Sequence, residues 1–387
     1  MNSTIKSLIY SVVLFVVSCT HPSDMLTVIA PDGSCYREFT ENVNPKFLLG
    51  DTASNLNPFP VIINSSWKIS WKYKNSKINS TFPIQKTLYD SIQKNINQTL
   101  EIKKQTSNRD GISQDLIVYA WRNYKSADDM DTLFKLKRTH PWSNFKVKHL
   151  LSIKFRWFYT YYSYKEIYPK VKNNFVIPIE KFMTKDEAMF WFTGKPDILK
   201  GLNGVEIREY VGNIEDNFRK WFNKNLWDLE YKILLENYEK IDQLKVSKNR
   251  LTLIKDTIFN VKVNNAENFN MDKILDNYFK TTSFSKFWKS ENCPMVKFEQ
   301  DFNNQKSFLF FGGAFNYKLI LPGKIIQSND AVLHGDTMNW KLTAYRMIPA
   351  DYVIEAESRK INIWAFILSG FILILAIGSF IWKPGKR

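Results

Sequence analysis

The residues that could carry catalysis are few, and they form no recognised catalytic pattern. The four histidines, His21, His140, His149 and His334, show none of the spacings of metal-binding motifs. The sequence also lacks the GxSxG turn of serine hydrolases, the phosphate-binding GxxxxGK[ST] and GxGxxG loops, and a CxxC pair. Because each of these chemistries needs groups at a defined spacing, we expect no metal and no cofactor, and a non-enzyme is favoured over an enzyme.

Acid–base hydrolysis needs less sequence signature, because two carboxylates about 5–10 Å apart are sufficient. Carboxylates collect in and around the central helix-like segment, at Glu180, Asp186, Glu187, Glu206 and Glu209. Asp186 and Glu187 equally suit the first turn of a helix, where negative charge interacts favourably with the helix dipole. A carboxylate-dependent hydrolase of envelope glycan is therefore kept as the alternative function.

An aromatic stripe is the candidate binding surface. Residues Leu150–Tyr168 predict a long strand, or two strands with a bulge. On that strand one face carries four aromatic residues that could meet an acyl chain or a sugar ring, although such a stripe is also typical of a core: Phe155, Trp157, Tyr159 and Tyr161. Since the opposite face is aromatic too, the strand is either covered on both sides or exposes an apolar interaction site.

The N-terminus has the pattern of a bacterial lipoprotein signal. Lys6 provides a basic region, Leu8–Val17 provides an apolar region, and the segment ends in Ser18-Cys19, which resembles a lipobox. Lipoproteins with this motif are cut before the cysteine, whose sulfur carries a diacylglyceryl group. We therefore expect removal of the signal peptide 1–18 and lipidation of Cys19.

A second membrane element is predicted near the C-terminus. Residues 361–382 contain no charge, and at about 1.5 Å per residue they would reach roughly 33 Å, enough for a hydrocarbon core of about 30 Å. The basic residues of 383–387 are typical of a cytoplasmic tail. Together with an exported N-terminus, this predicts a single-pass protein of the bacterial inner (cytoplasmic) membrane whose residues 20–360 are extracytoplasmic.

Composition and charge limit the partners. Hydrophobic residues make up 44% and aromatic residues 15% of the 387 residues, which excludes disorder for most of the chain. The formal net charge is +16, and a basic body at a membrane is attracted to anionic headgroups, although the lysines are scattered. We expect membrane lipid as a partner, with an envelope glycolipid or a membrane protein as further candidates, and no nucleic acid.

The exported body begins and ends in strand-like segments around a helical middle. Strands are predicted at Leu26–Ala30, Cys35–Phe39, 67–73, 307–311, 315–321, 324–327, 337–343 and 352–357. Helices are predicted at 85–102, 126–137, 205–222, 226–241 and 271–279, with a capping box at Thr184–Glu187. We therefore predict an α+β fold: a mainly antiparallel sheet of N- and C-terminal strands, a central helical insertion and one C-terminal transmembrane helix.

The predicted organisation has six parts. They are the signal peptide 1–18, the N-terminal part 19–179 of the exported domain, the helical insertion 180–300, the C-terminal β part 301–360, the transmembrane helix 361–382 and the tail 383–387. Once Cys19 is lipidated, Cys35 and Cys293 are the remaining thiols. This fold and an oxidising compartment predict a disulfide between them, with two separate buried thiols as the alternative.

One short motif resembles a known family. Leu321-Pro322-Gly323, Asn329, Gly335 and Trp340 are similar to the "LPG … N … G … W" hairpin of LppM-like bacterial lipoproteins. The chain as a whole resembles uncharacterised Bacteroidetes-type membrane lipoproteins with such a β domain before a C-terminal transmembrane helix. The resemblance implies association with lipid or envelope glycolipid, and it transfers no catalytic residue. The predicted function is a non-catalytic binding or assembly role in the cell envelope.

Overall fold

The computed structural model describes residues 23–381 except 43–44, 52–56, 74–76, 95–115, 139, 141, 174, 291–292 and 312–314. The predicted signal peptide, Cys19 and the tail 383–387 lie outside the described residues. The chain forms two compact units. We call Met1–Pro169, Gly312–Thr343 and Asp351–Arg387 the sheet unit, and we call Lys170–Phe311 and Ala344–Ala350 the helical unit.

The sheet unit is built from eleven strands in the described part of the chain. They are β1 Ser23–Ile29, β2 Cys35–Asn42, β3 Lys68–Tyr73, β4 Leu116–Tyr124, β5 Lys148–Arg156, β6 Tyr159–Tyr168, β7 Phe315–Ile320, β8 Lys324–Ser328, β9 Val332–His334, β10 Thr337–Leu342 and β11 Tyr352–Ile361. Two short helices accompany them, α1 Pro45–Leu48 and α2 Ala127–Leu133. A further helical segment covers 86–94.

These strands form two sheets, whereas the sequence predicted one. Seven strands follow the order β3-β4-β2-β1-β7-β10-β9, and four follow the order β5-β6-β11-β8. The β1–β2 hairpin is confirmed, and β1 joins the C-terminal strands by pairing in parallel with β7. Strand β11, however, pairs with β6 and β8. Alternating buried and half-buried residues in β1, β2 and β7 show one face of each strand turned into the core.

The segment with the LPG motif is where the chain passes from one sheet to the other. Gly323 has φ +81°, and a Cβ there would lie 2.3 Å from the Arg359 carbonyl oxygen, so a side chain cannot be accommodated. Ser358 Oγ donates to Pro322 O at 2.8 Å, and Trp340 Nε1 donates to Asn329 O at 2.5 Å. The motif residues therefore have a structural role in joining β7 to β8 and β10.

The helical unit packs around one long helix. Its helices are α3 Lys185–Thr193, α4 Gly204–Glu236, α5 Lys248–Ile258, α6 Met271–Phe279, α7 Ser283–Trp288 and α8 Pro294–Phe311. Trp227, Tyr231 and Leu234 of α4 pack against residues of α5 to α8 to form the core of the unit. The predicted capping box before α3 is confirmed, because Thr184 and Glu187 hydrogen bond reciprocally.

Two predictions in this unit were wrong. The separate helices expected at 205–222 and 226–241 are one 33-residue helix. The polar residues between them are buried and satisfied, because Asn223 Nδ2 donates to Ala266 O at 2.8 Å and Asn225 Nδ2 donates to Trp221 O at 3.0 Å. The strand expected at 307–311 is instead the last part of α8.

The predicted transmembrane helix is also corrected. The apolar segment forms α9, Ile363–Ile381, which at about 1.5 Å per residue extends roughly 28 Å. It starts later than predicted because β11 runs to Ile361 and Asn362 is fixed to the neighbouring hairpin, where its Nδ2 donates to Arg156 O at 3.0 Å. Within the described residues, no helix is both long and apolar enough to cross a membrane.

The predicted disulfide is not formed in the structure. Cys35 and Cys293 are both free and buried. Cys35 lies in β2 of the sheet unit and Cys293 in the core of the helical unit, so each thiol packs with its own unit. Burial raises the pKa of the Cys35 thiol to about 11, which keeps it protonated at neutral pH.

Candidate functional site

The predicted aromatic strand is a hairpin. Strands β5 and β6 pair in antiparallel fashion on either side of the turn Trp157-Phe158, which the bulged-strand prediction missed. Phe155 pairs with Thr160 and Arg156 pairs with Tyr159, so Phe155 faces the opposite side from Tyr159 and Tyr161. The four candidate aromatic residues therefore do not share one strand face.

Helix α9 nevertheless contacts the hairpin on both faces, where it meets Phe155, Trp157 and Tyr159 directly and Tyr161 through Tyr159. The ring of Phe155 stacks on Trp364 with centroids 6.1 Å apart, and Trp157 meets the same ring edge-on at 5.3 Å. On the other side, Tyr159 lies 6.3 Å from Phe366 and 6.4 Å from Tyr161, measured between ring centroids. Phe158 of the turn lies 4.6 Å from Phe366, and Trp157 Nε1 donates to Ser369 Oγ at 2.9 Å.

We call this patch the hairpin–helix surface: residues 155–161 together with α9. It is strongly exposed, with 59% of Phe155 and 44% of Trp157 accessible to solvent. Helix α9 exposes large apolar side chains on all sides, and Ile367 is 68% accessible. A contiguous apolar patch of this kind is unusual on a soluble monomer and marks an interaction site.

The flank of the hairpin–helix surface is basic. Exposed cations occupy the strand ends beside it, at Lys154, Arg156, Lys324, Arg359 and Lys360. Two of them lie over tyrosine rings, with Arg359 Cζ 4.9 Å from the Tyr159 centroid and Arg156 Cζ 6.0 Å from that of Tyr161. Neither 148–164 nor 358–381 contains an aspartate or glutamate. The surface thus combines exposed rings with uncompensated positive charge.

A buried charged network between the two sheets was missed by the sequence analysis. Glu166 of β6 and Arg37 of β2 are fully buried, and Arg37 Nη2 donates to Glu166 Oε2 at 2.8 Å. The hydroxyl groups of three tyrosines also donate to this carboxylate, at 3.0, 2.6 and 2.7 Å from Tyr164, Tyr168 and Tyr317. Every oxygen of Glu166 therefore has partners.

The network continues to the surface through a histidine. The Nε2 atom of His149 lies 3.3 Å from Glu166 Oε1 and 3.2 Å from Arg37 Nη1, while its Nδ1 lies 2.5 Å from Asp131 Oδ1. Burial alone would raise the pKa of Glu166, but Arg37 and His149 outweigh it and hold the pKa well below its ordinary value of 4.5. Because the polar atoms of this network are paired with one another, the network holds the two sheets together.

A signal for this network exists in the sequence. Glu166 alternates with Tyr162, Tyr164 and Tyr168 at strand spacing, and Arg37 alternates with apolar neighbours in β2. A charged residue at an inward-facing position must find a partner, so these two residues could have been paired by that argument.

Three of the five carboxylates considered for hydrolysis, Asp186, Glu187 and Glu206, lie at helix starts. Glu187 caps α3, and the Glu206 carboxylate accepts from Asn203 N at 2.8 Å in the capping box of α4. Glu180 lies in a short 3₁₀ turn. Among the described residues no group of three or more histidine, cysteine, aspartate or glutamate side chains is placed to hold a metal ion.

Comparison with known proteins gives no relative. No protein family model matches the chain, no curated protein matches it, and no solved structure is similar to it.

Proposed function

We propose that this protein is a cell-envelope lipoprotein with a non-catalytic binding or assembly role, and that the hairpin–helix surface is where it meets membrane lipid. The observation that supports the proposal is the union of exposed apolar rings with a basic flank. Tryptophan and phenylalanine side chains favour the boundary between headgroups and acyl chains, and each nearby Lys or Arg adds about 1 kcal/mol of attraction to an anionic leaflet.

Lipidation at Cys19 would add a second attachment. The two acyl chains of a diacylglyceryl group would hold the N-terminus at a membrane, and a contact through protein side chains would bring the folded chain itself to the lipid surface. The hairpin–helix surface supplies that contact in this proposal. An envelope glycolipid is the nearest related partner, because its acyl chains would meet the same rings.

Vesicle flotation tests the proposal. The described fold begins at Ser23, so a chain starting at Thr20 keeps every described element and carries no lipid. We expect this chain to float with vesicles of phosphatidylcholine and phosphatidylglycerol, and more weakly with phosphatidylcholine alone. A chain that stays at the bottom with both compositions would contradict the proposal.

A matched pair of variants locates the contact. Ile367→Asp places a charge on α9, whereas Leu253→Asp places one at a site on α5 that is 81% exposed. We expect the α9 variant to lose about tenfold or more in vesicle binding, since a charge in the apolar layer costs roughly 2 kcal/mol or more. The α5 variant should bind like the parent chain. Equal binding by both variants would exclude α9 as the contact.

The alternative of a glycan hydrolase is not proposed. Of the carboxylates that motivated it, Glu187 and Glu206 take part in capping boxes and Asp186 lies in the first turn of α3.

A further inference from the structure

The helical unit contains a cavity of about 500 Å³ that no sequence prediction named. Its wall is aromatic, formed by Trp191, Phe218, Phe222, Phe269, Phe298 and Phe302. Five of these rings follow one another in contact: centroid distances are 5.3 Å from Trp191 to Phe218, 6.3 Å on to Phe222, 5.9 Å on to Phe302 and 5.7 Å on to Phe298. The cavity therefore offers a continuous aromatic surface of a volume that suits a small molecule.

The same cavity is acidic in a strongly basic chain. Four carboxylates line it, those of Glu215, Glu230, Glu267 and Glu299. Arg219 is the single cation among the residues that line it; its Nη2 donates to Asp216, and its Nε is buried without a hydrogen-bond partner among the described residues. This local excess of negative charge is opposite in sign to the chain's net charge of +16, so a positively charged ligand fits it.

Glu230 is the carboxylate that most needs a partner. It is half-buried on α4, and it makes no hydrogen bond or ion pair with any residue in the described part of the chain. Burial, together with the nearby charges of Glu299 and Asp272, raises the pKa of Glu230 to about 8. Burial and Asp272 also raise the pKa of Glu299. Carboxylates placed together without a counter-charge are costly unless a cation joins them.

We propose that this cavity binds an organic ammonium ion of the trimethylammonium class, with its charge against Glu230 and Glu299 and its methyl groups against the aromatic wall. Aromatic faces attract large, weakly hydrated cations through the ring quadrupole, and quaternary ammonium groups are the ligands that aromatic cages recognise. Carboxylates add the counter-charge that the rings lack. This site is independent of the lipid-binding proposal, because it is built only from residues of the helical unit.

The proposal has a pH signature. The charged groups that act on Glu230 are Glu299 on α8 and Asp272 on α6, and the other charged residues that line the cavity are Glu215 and Arg219 on α4 and Glu267 on the segment before α6. A cation favours ionised Glu230, so binding at pH 7 must release protons, and affinity must rise as pH increases from 6 to 9. A neutral ligand held by the rings alone would show neither effect.

Calorimetry on the full chain in a maltoside detergent tests the site. The probes are choline and its uncharged isostere 3,3-dimethylbutan-1-ol. We expect choline to bind with proton release at pH 7, and the isostere to bind at least tenfold more weakly. Equal binding of the two probes, or no binding of choline at pH 9, would overturn the proposal.

Variants identify the residue responsible. Glu230→Gln should weaken choline binding about tenfold or more and remove its pH dependence. Glu236→Gln, on the same helix but 60% exposed, is the matched control and should leave both unchanged. Phe302→Leu should weaken choline binding while keeping the pH dependence, and thermal unfolding of each variant checks that it remains folded. A folded Glu230→Gln variant that binds choline normally would rule out the site.

The trimethylammonium group could belong to a free metabolite or to a lipid headgroup. Dihexanoylphosphatidylcholine, used below its micelle concentration, separates the two sources. Tighter binding than choline indicates a headgroup and weaker binding indicates a free cation, and Glu230→Gln should weaken whichever binds. Binding of either probe that persists unchanged in Glu230→Gln contradicts the proposal.

Discussion

Each unit has a set of aromatic side chains that is open to solvent, and the two sets differ in shape and in charge. On the sheet unit, the hairpin–helix surface is open, and the charged side chains beside it are lysines and arginines. On the helical unit, the rings line a concave cavity whose carboxylates outnumber its one arginine. The same residue types therefore favour opposite partners: an anionic lipid surface in the first case and an organic cation in the second.

The buried network around Glu166 is a third aromatic cluster, and it shows when a carboxylate among rings does not bind a ligand. Glu166 is also a carboxylate among aromatic rings, yet its pKa is lowered while that of Glu230 is raised. The difference lies in the counter-charge, because Glu166 is paired with Arg37, whereas the charges that act on Glu230 in the described part of the chain are those of Glu299 and Asp272. A buried carboxylate with a complete set of partners stabilises the fold, and one without partners is a candidate to bind a ligand.

The largest expected effect is on the compensated carboxylate. Glu166→Gln leaves Arg37 buried without its counter-charge, and we expect a loss of about 3–5 kcal/mol in the free energy of unfolding. Glu355→Gln is the control, since Glu355 forms a partly exposed ion pair with Lys165 and should cost less than about 1 kcal/mol. Urea unfolding measures both, and similar costs for the two variants would contradict the structural role of the network.

The pH dependence of the stability of the same variant tests the direction of the pKa shift of Glu166. The folded pKa of Glu166 lies below 4.5, so this group stabilises the protein fully above pH 4.5 and loses that contribution as pH falls below it. We expect the free energy of unfolding of the parent chain to decrease as pH falls, and to decrease less steeply with pH in Glu166→Gln. Identical slopes between pH 5 and 3 would show that Glu166 is not held ionised.

The next effect concerns the basic flank of the hairpin–helix surface. Arg359→Glu with Lys360→Glu reverses two exposed charges beside α9. At about 1 kcal/mol for each basic residue lost, binding to anionic vesicles should fall at least about 30-fold, and it should fall much less in high salt. Lys341→Glu, an exposed position on β10, is the control. If Lys341→Glu lowers vesicle binding as much for its one charge as the double variant does for each of its two, net charge rather than this surface governs binding.

The smallest effect is a gain in stability. Because the folded pKa of Glu230 is about 8, folded protein retains a proton between pH 4.5 and 8 that the unfolded chain has released, so stability falls as pH rises through this range. Glu230→Gln removes that loss, and we expect about 1–2 kcal/mol of added stability at pH 9 and little change at pH 4. No gain in thermal stability at pH 9 would mean that Glu230 titrates normally.

Much of the fold followed from local pattern. The β1–β2 hairpin, the period-2 strand β3 and the capping box before α3 depend on neighbouring residues alone, and all three were predicted correctly. The division into two sheets could not be predicted in that way, because it depends on a close approach at Gly323 that only the assembled backbone reveals.

The candidate sites were predicted less completely. The sequence pointed to Phe155, Trp157, Tyr159 and Tyr161, but the turn at Trp157-Phe158 changed which of them share a face. The cavity of the helical unit was missed because its carboxylates come from segments far apart in sequence, and the pairing of Glu166 with Arg37 joins two strands 129 residues apart. Spacing along the chain carries no information on such contacts.

The most direct test is whether the hairpin–helix surface enters lipid. A nitroxide label at Phe155→Cys, on the chain starting at Thr20, is compared with one at Leu253→Cys of the helical unit, in the presence of anionic vesicles. We predict that the label at position 155 becomes more accessible to oxygen than to a water-soluble nickel chelate, while the label at position 253 stays accessible to the chelate. Equal accessibility of the two labels to the nickel chelate would contradict lipid binding by this surface.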